Sequence, residues 1–427
     1  MARLLWIILI AVSTIGNTFA DGVPNEQLNR FAEKIIQAKK RDLGYPVNQN
    51  VQLNDFYQWY LDTGLSNSLM NNAGNPLNSH GGINSHAFEK EVIEFFAPLY
   101  GFDKNDLWGI VTFSGTDGNN HGMYFGAKEL RAKTGKAPIL YVSEEAHYSI
   151  KRLADLQNLE LRLIPADPMG RMKISEFEKA LDPSKPALIV IAMGTTFKGA
   201  IDDQKAIDDV LKRKKPVAVY RHLDAALFGG FLPYTRHRDL VNRTKFHFDS
   251  ISVSGHKFFG MDEPAGIFLT THTILKNQNP FHIAYLNDDM PMINCSRSGL
   301  APLKLWWIIQ KNGKAGFTEQ AARIMESTRY LQERLYALHY PHWINDYSNT
   351  VFFKRPSQWI IEKWHLAPDY DDRFGGELAH VVIMQHAFKP AINEFIEDLK
   401  ADMAANSGNE TARENVSEKI PLPATNH

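Results

Sequence analysis

Two short stretches hold residues able to do covalent chemistry together. In Ser252–Gly260, SVSGHKFFG, Lys257 follows a histidine in a bend of small residues after a β-branched run. In His222–Ala226, HLDAA, Asp224 ends another such run. A lysine amine condenses with an aldehyde, and an aspartate can grip a protonated pyridine nitrogen. Those two groups are what pyridoxal 5′-phosphate asks of a protein. Each residue taken singly has a plainer explanation, an exposed turn lysine in the first case and a structural ion pair in the second. A cofactor site needs, in addition, a phosphate cradle, a ring-stacking group and a scaffold that brings them together.

Candidates for those parts occur in chain order. Ser114-Gly115-Thr116-Asp117-Gly118-Asn119 joins a strand-like run to a helix-like one. Small residues there let backbone N–H groups approach a phosphate, and the helix N-terminus favours negative charge. An ordinary strand-to-helix turn with a capping Thr or Asp is the alternative. His147, in SEEAHYSIKR, begins a helix after a strand and could lie flat on a pyridine ring, or be structural. Thr195 and Thr196 end a further strand, while Ser254 and His256 flank Lys257 and could bond a phosphate or orient the lysine.

The elements that must position these residues alternate. Short β-rich runs lie at 108–113, 137–142, 159–164, 187–193, 217–223, 250–254 and 265–270, most of them separated by helix-like stretches. Seven such strands predict an α/β fold, a mostly parallel sheet with helices on both faces. Ligands in such folds sit at the carboxyl ends of the strands, where every candidate above falls. After about residue 300 the pattern changes to a long helical region broken near Gly313, two strands (NTVFFKRP and AHVVIMQ) and a closing helix. The expected division is an N-terminal segment over 21–85, a large domain over 86–312, a smaller α+β domain over 313–405 and a polar, disordered tail over 406–427.

Composition narrows the function classes. With 427 residues, 44% hydrophobic and a formal net charge of -1, the chain is an ordinary globular protein with no electrostatic case for nucleic acid. One cysteine, Cys295, excludes an intramolecular disulfide framework, and the 16 histidines show no metal-ligand spacing such as HExxH, so no metal is expected. Residues 1–20 have a basic Arg3, an unbroken apolar run over Leu4–Val12 and a small residue, Ala20, before Asp21. That layout predicts a cleaved export signal, the run being short for a span of roughly 20 residues. The expected location is periplasmic or secreted, with the cytoplasm as the alternative and no stable membrane insertion.

With these residues collected, the chain resembles the pyridoxal-phosphate-dependent group II amino-acid decarboxylases. Among them it is most similar to bacterial histidine decarboxylases and plant serine decarboxylases. The resemblance runs through SGTDGNNHGMYFGAKEL, SEEAHYSI, MGTTFKGAIDD, HLDAALFGG, SVSGHKFFG and CSRSGLAP. It implies the aspartate-aminotransferase-like fold type I, a homodimer and an amino-acid substrate. It makes Lys257 the cofactor lysine, Asp224 the partner of the ring nitrogen and His147 the residue stacked on the ring. Gly115, Thr116 and Ser254 take phosphate-binding positions, and Tyr285, in FHIAYLNDD, falls in a loop whose tyrosine protonates the substrate carbon.

The implied reaction is α-decarboxylation, of histidine to histamine first and of serine to ethanolamine second. Transamination or aldol cleavage on the same fold, or a degenerate binding protein, are the competing readings. The sequence departs from the family in having Asp117 where GTEGN is usual, and in Cys295–Leu300, CSRSGL, where GSRNGH is usual. The second change bears on substrate preference.

Overall fold

The computed structural model describes residues 25–79, 81–278 and 281–417. The predicted export signal therefore lies outside the described residues. Seven strands form the central sheet: β1 (Leu107–Thr112), β2 (Ile139–Ser143), β3 (Glu160–Ile164), β4 (Ala187–Ala192), β5 (Val219–Asp224), β6 (Ser250–Ser254) and β7 (Gly266–Thr271). Their spatial order is β1-β7-β6-β5-β4-β2-β3. Six run the same way and β7 alone runs against them, pairing antiparallel with both β1 and β6. β1, β2 and β4 are buried along their whole length, as continuous apolar runs covered on both faces should be. β3 is the edge strand opposite β1, and its exposed Glu160 and half-buried Arg162 keep that edge charged.

The helix Gly115–Thr134 presses unusually close to this sheet. Gly118, Gly122 and Gly126, one turn apart, face it, and a Cβ on each would stand 2.2 Å from Ser252 Oγ, 2.2 Å from His222 Nδ1 and 2.6 Å from Tyr220 Cδ1. His222 is fully buried there, with Nδ1 2.8 Å from Ser250 Oγ and Nε2 2.9 Å from Asn119 Oδ1, and burial pushes its imidazole down to about 3. Gly122→Ala is expected to destabilise the fold by about 1–3 kcal/mol, because a methyl must displace that ring. A chemical-denaturation midpoint equal to wild type would contradict this close approach.

A hairpin, β8 (Phe281–Ile283) and β9 (Asp288–Met290), precedes the long helix Leu300–Ala337. That helix breaks at Gly313, whose φ of 55° and ψ of -172° leave the helical region, as the sequence predicts. A second sheet follows, ordered β10-β11-β13-β12: β10 (His342–Ile344), β11 (Thr350–Lys354), β12 (Ala367–Asp371) and β13 (Gly376–Val382). Its apolar face is continuous with the main core, since Ile251, Phe317, Val351, Phe353 and Phe395 belong to one cluster.

The last helix, Lys389–Ser417, continues past 406, where the sequence predicts a disordered tail. NETARENV is rich in residues that tolerate a helix, so polarity alone does not end it. Among the described residues, no helix is long and apolar enough to cross a membrane.

Candidate active site

β7 runs antiparallel, so the chain must turn back at the carboxyl end of β6, and the turn is 255–265. Lys257 sits in it, facing a cavity of about 280 Å³ at the strand ends. Asp224 reaches the same cavity as the last residue of β5, 8% exposed, its Oδ1 accepting the Ala226 N–H at 3.3 Å. His147 arrives from the end of β2, Thr196 from the end of β4, and Gly115 and Thr116 from the helix that follows β1. Ser254 and His256 complete the set. Lys257, Asp224, His147, Gly115, Thr116, Thr195, Thr196, Ser254 and His256, all named from sequence, thus line one cavity. A larger one, about 640 Å³ between the long helix and residues 344–348, holds none of them.

Tyr285 is the exception. It stands in the β8–β9 turn, 86% exposed, beside a separate cavity lined by Asn75, Ser79 and His86. Within one chain the fold does not bring it to Lys257. The CSRSGL segment is likewise elsewhere. Arg297 is buried against Glu89 and donates to the carbonyls of Val111 and Gly74 at 3.3 and 3.2 Å, tying this segment to β1 and the N-terminal loop. Ser298 and Leu300 line a different cavity, with Phe113 and the exposed Leu69.

The phosphate-sized end of the site is built by capping. Ser114 Oγ accepts the Asp117 N–H at 3.2 Å, while Asp117 Oδ2 accepts the Phe113 N–H at 3.1 Å. This reciprocal pair fixes the helix start much as a capping box does. A Cβ on Gly115 would stand 2.5 Å from Ser254 Oγ and 3.2 Å from the Ala226 methyl, so only glycine leaves room for the cradle. The first-turn N–H groups and the helix dipole then favour an anion.

The other end carries the titratable groups. Burial lowers the Lys257 amine below its ordinary value, and the Asp224 carboxylate opposes that shift. His147 is lowered by burial, with Asp224 raising it and Lys257 adding to the depression. Its Nδ1 accepts the Ser149 N–H at 3.3 Å and lies 2.8 Å from Ser149 Oγ. An accepting Nδ1 leaves the neutral ring's proton on Nε2. Burial likewise depresses His256, which touches the Ala265 backbone. Thr195 is buried and braces its own turn by accepting the Ala200 N–H at 2.9 Å, which leaves Thr196 the exposed member of the pair.

Asn119, from the cradle stretch, lines the cavity too, while sequence reading missed Pro46, Tyr148 and Pro264. Tyr148 was within reach as the neighbour of His147. Pro46 was not, because it is carried in by a remote segment: Leu43 accepts the Val382 N–H at 2.8 Å, and Asn48 donates to the Phe258 carbonyl at 3.2 Å.

Residues 123–353 match the pyridoxal-dependent decarboxylase conserved domain. The chain belongs to the pyridoxal-dependent decarboxylase family. This decarboxylase is 33% identical over 382 residues to the histidine decarboxylase of Solanum lycopersicum, covering 87% of each chain. It is 31% identical over 377 residues to serine decarboxylase 1 of Oryza sativa subsp. japonica, covering 86% of this chain and 74% of that one. Among solved structures, L-methionine decarboxylase from Streptomyces sp.590 superposes with a TM-score of 0.75 at 19% identity, over 91% of this chain and 98% of that one. That likeness concerns the fold, which is fold type I with its mostly parallel sheet and smaller C-terminal domain.

The decarboxylase is thus a pyridoxal-phosphate-dependent amino-acid carboxy-lyase. The donor set suits that cofactor: a glycine cradle at a helix N-terminus for the phosphate, a carboxylate for the ring nitrogen, and a lysine whose burial favours the neutral amine.

Proposed function

We propose that this decarboxylase converts L-histidine to histamine and CO2 at the Lys257 cavity. The convergence of Lys257, Asp224 and His147 on one cavity beside the Gly115 cradle carries the site reading. The similarity to a histidine decarboxylase over 87% of both chains supports the substrate. Pyridoxal phosphate, when bound, supplies the electron sink for the pair left behind as CO2 departs.

The chain's residues do the rest. Lys257 is the attachment residue, and its amine takes and returns protons as the substrate amine exchanges with it. Asp224 keeps the ring nitrogen protonated through its charge. His147, held by Ser149, would stack on the cofactor ring and orient the substrate. Gly115, Thr116, Ser254 and His256 would hold the phosphate, and Thr196 would line the cofactor site beside them. The enclosed cavity strengthens each of these electrostatic contacts.

Tyr285 fits this scheme as the proton donor to the substrate carbon if a second copy of the chain supplies it. Its 86% exposure and its distance from its own Lys257 cavity support a homodimer with shared sites. Export of the mature chain, starting at Asp21, is the localisation we favour from residues 1–20. N-terminal sequencing that found Met1 would overturn that.

Serine, giving ethanolamine, is the second reading, favoured by the 31% identity to a rice serine decarboxylase. A CO2-release screen across the common L-amino acids, with added pyridoxal phosphate, decides between them. The expected outcome is a kcat/KM for histidine at least about tenfold above that for serine, a difference of about 1.4 kcal/mol. A serine preference, or a keto acid in place of an amine, would reject the histidine assignment.

A further inference from the structure

The motif turn MGTTFKGAIDD holds a second enclosed lysine that the chemistry above does not use. Lys198 is 1% exposed. Its Nζ lies 2.8 Å from Glu145 Oε1 and 2.6 Å from Asp371 Oδ2. Arg373 closes the cluster, donating to both Asp371 oxygens at 2.8 and 2.7 Å and approaching Glu145 Oε1 at 3.4 Å. Two cations and two anions make the group neutral. Arg373 foremost, with Lys198, holds the Asp371 carboxyl well below the usual carboxylate range.

What distinguishes this cluster is where its members sit in the chain. Glu145 is two residues before His147, and Lys198 is two residues after Thr196. Asp371 and Arg373 belong to the small domain, at the end of β12 and just beyond it. The same turn is tied down twice more, since Asn345 donates to the Lys198 carbonyl at 2.9 Å and His380 Nδ1 lies 2.7 Å from the Phe197 carbonyl. Arg373 also donates to the carbonyls of Ala166 and Asp167, both at 3.1 Å, in the loop after β3.

Building on the proposed Lys257 site, we propose that Lys198 is a positioning residue: it latches the small domain to the two turns that present His147 and Thr196 to the substrate. Only Lys198 is buried, with Glu145 and Asp371 partly covered and Arg373 at the exposed rim. Such a cluster contributes little net stability compared with an apolar filling, so its worth lies in geometry. Its four charges hold two loops and a strand end in one relative arrangement. A displacement of about 1 Å in such a wall costs about 10²-fold in rate without touching the reacting atoms. The phosphate cradle at Gly115 and the attachment at Lys257 stand on other strands, so the latch weighs more on turnover than on cofactor capture.

The test compares holoenzyme of wild type, Lys198→Met, and the pairwise variant Lys198→Met/Asp371→Leu. The pairwise variant removes one cation with one anion and leaves Glu145 facing Arg373, so it keeps the cluster neutral if the single variant unfolds. In the folded variants kcat should fall about 10²-fold. Pyridoxal phosphate affinity should fall by less than about tenfold, about 1.4 kcal/mol at most, because the Gly115 cradle and the Lys257 attachment stay in place. Amide hydrogen exchange should quicken in 144–149 and 194–200.

A folded pairwise variant with wild-type kcat would overturn the latch. So would a loss of turnover matched by an equal loss of cofactor affinity and by faster exchange throughout the chain. Wild-type enzyme that releases no CO2 would overturn the site reading itself, and the latch with it. Active wild type with unaffected variants would remove the latch alone.

Discussion

Lys257→Ala should abolish both cofactor retention and CO2 release. The proton transfers assigned to the Lys257 amine account for about 10²–10⁴-fold by themselves, and loss of covalent attachment adds to that. The visible absorbance of the lysine-linked cofactor should vanish, while the fold should survive. Lys257 lies in the 255–265 turn and not in a strand, and its amine makes no ion pair within 4 Å among the described residues. Removing a depressed amine relieves desolvation and breaks no hydrogen bond or ion pair within 4 Å among those residues, although Asp224 loses a nearby charge. Circular dichroism and thermal midpoint should therefore match those of the wild-type apoenzyme. Persistent absorbance with persistent turnover would reject Lys257 as the attachment residue.

Asp224→Asn should separate cofactor binding from catalysis. The amide keeps the volume and can still accept the Ala226 N–H, so the end of β5 should hold its shape. It cannot stabilise a protonated ring nitrogen by charge. Loss of one such electrostatic contact in an enclosed site costs about 10²–10³-fold in kcat, with KM changed far less.

A second consequence follows from the lysine. The Asp224 carboxylate raises the Lys257 amine against the burial that lowers it. Without that charge the amine deprotonates at lower pH, so the pH dependence of cofactor capture by the apoenzyme should move down in the variant. A pH profile that stayed in place would mean that Asp224 and Lys257 do not sense one another.

Much of this site was legible in the sequence because its chemistry sits at strand ends. The runs before Ser114, His147, Thr196, Asp224 and Lys257 are short, apolar and rich in β-branched residues, and each forms a strand within two residues of the reading. Period and composition are local signals, and buried parallel strands carry them strongly. The glycine break at 313 was legible for the same reason.

What escaped the sequence depends on distant parts of the chain meeting. β12, APDYD, has proline and two aspartates on an edge and does not read as a strand. Pro46 enters the cavity because the N-terminal segment crosses the second sheet first. The Lys198 cluster joins positions more than 170 residues apart, so nothing beside Lys198 announced its partners. Tyr285 was found by resemblance to a family and not by spacing, and it is the one residue that a single chain leaves outside the Lys257 cavity.

Borohydride reduction of the cofactor-loaded enzyme, followed by peptide mass spectrometry, tests the central assignment most directly. Reduction makes the link between lysine and pyridoxal phosphate permanent, and digestion then shows which lysine carries it. The account predicts one modified site, Lys257 in SVSGHKFFG, blocked when the cofactor is withheld. Modification at Lys198, whose amine is already committed to two carboxylates, or label scattered over surface lysines with Lys257 unmodified, would contradict it.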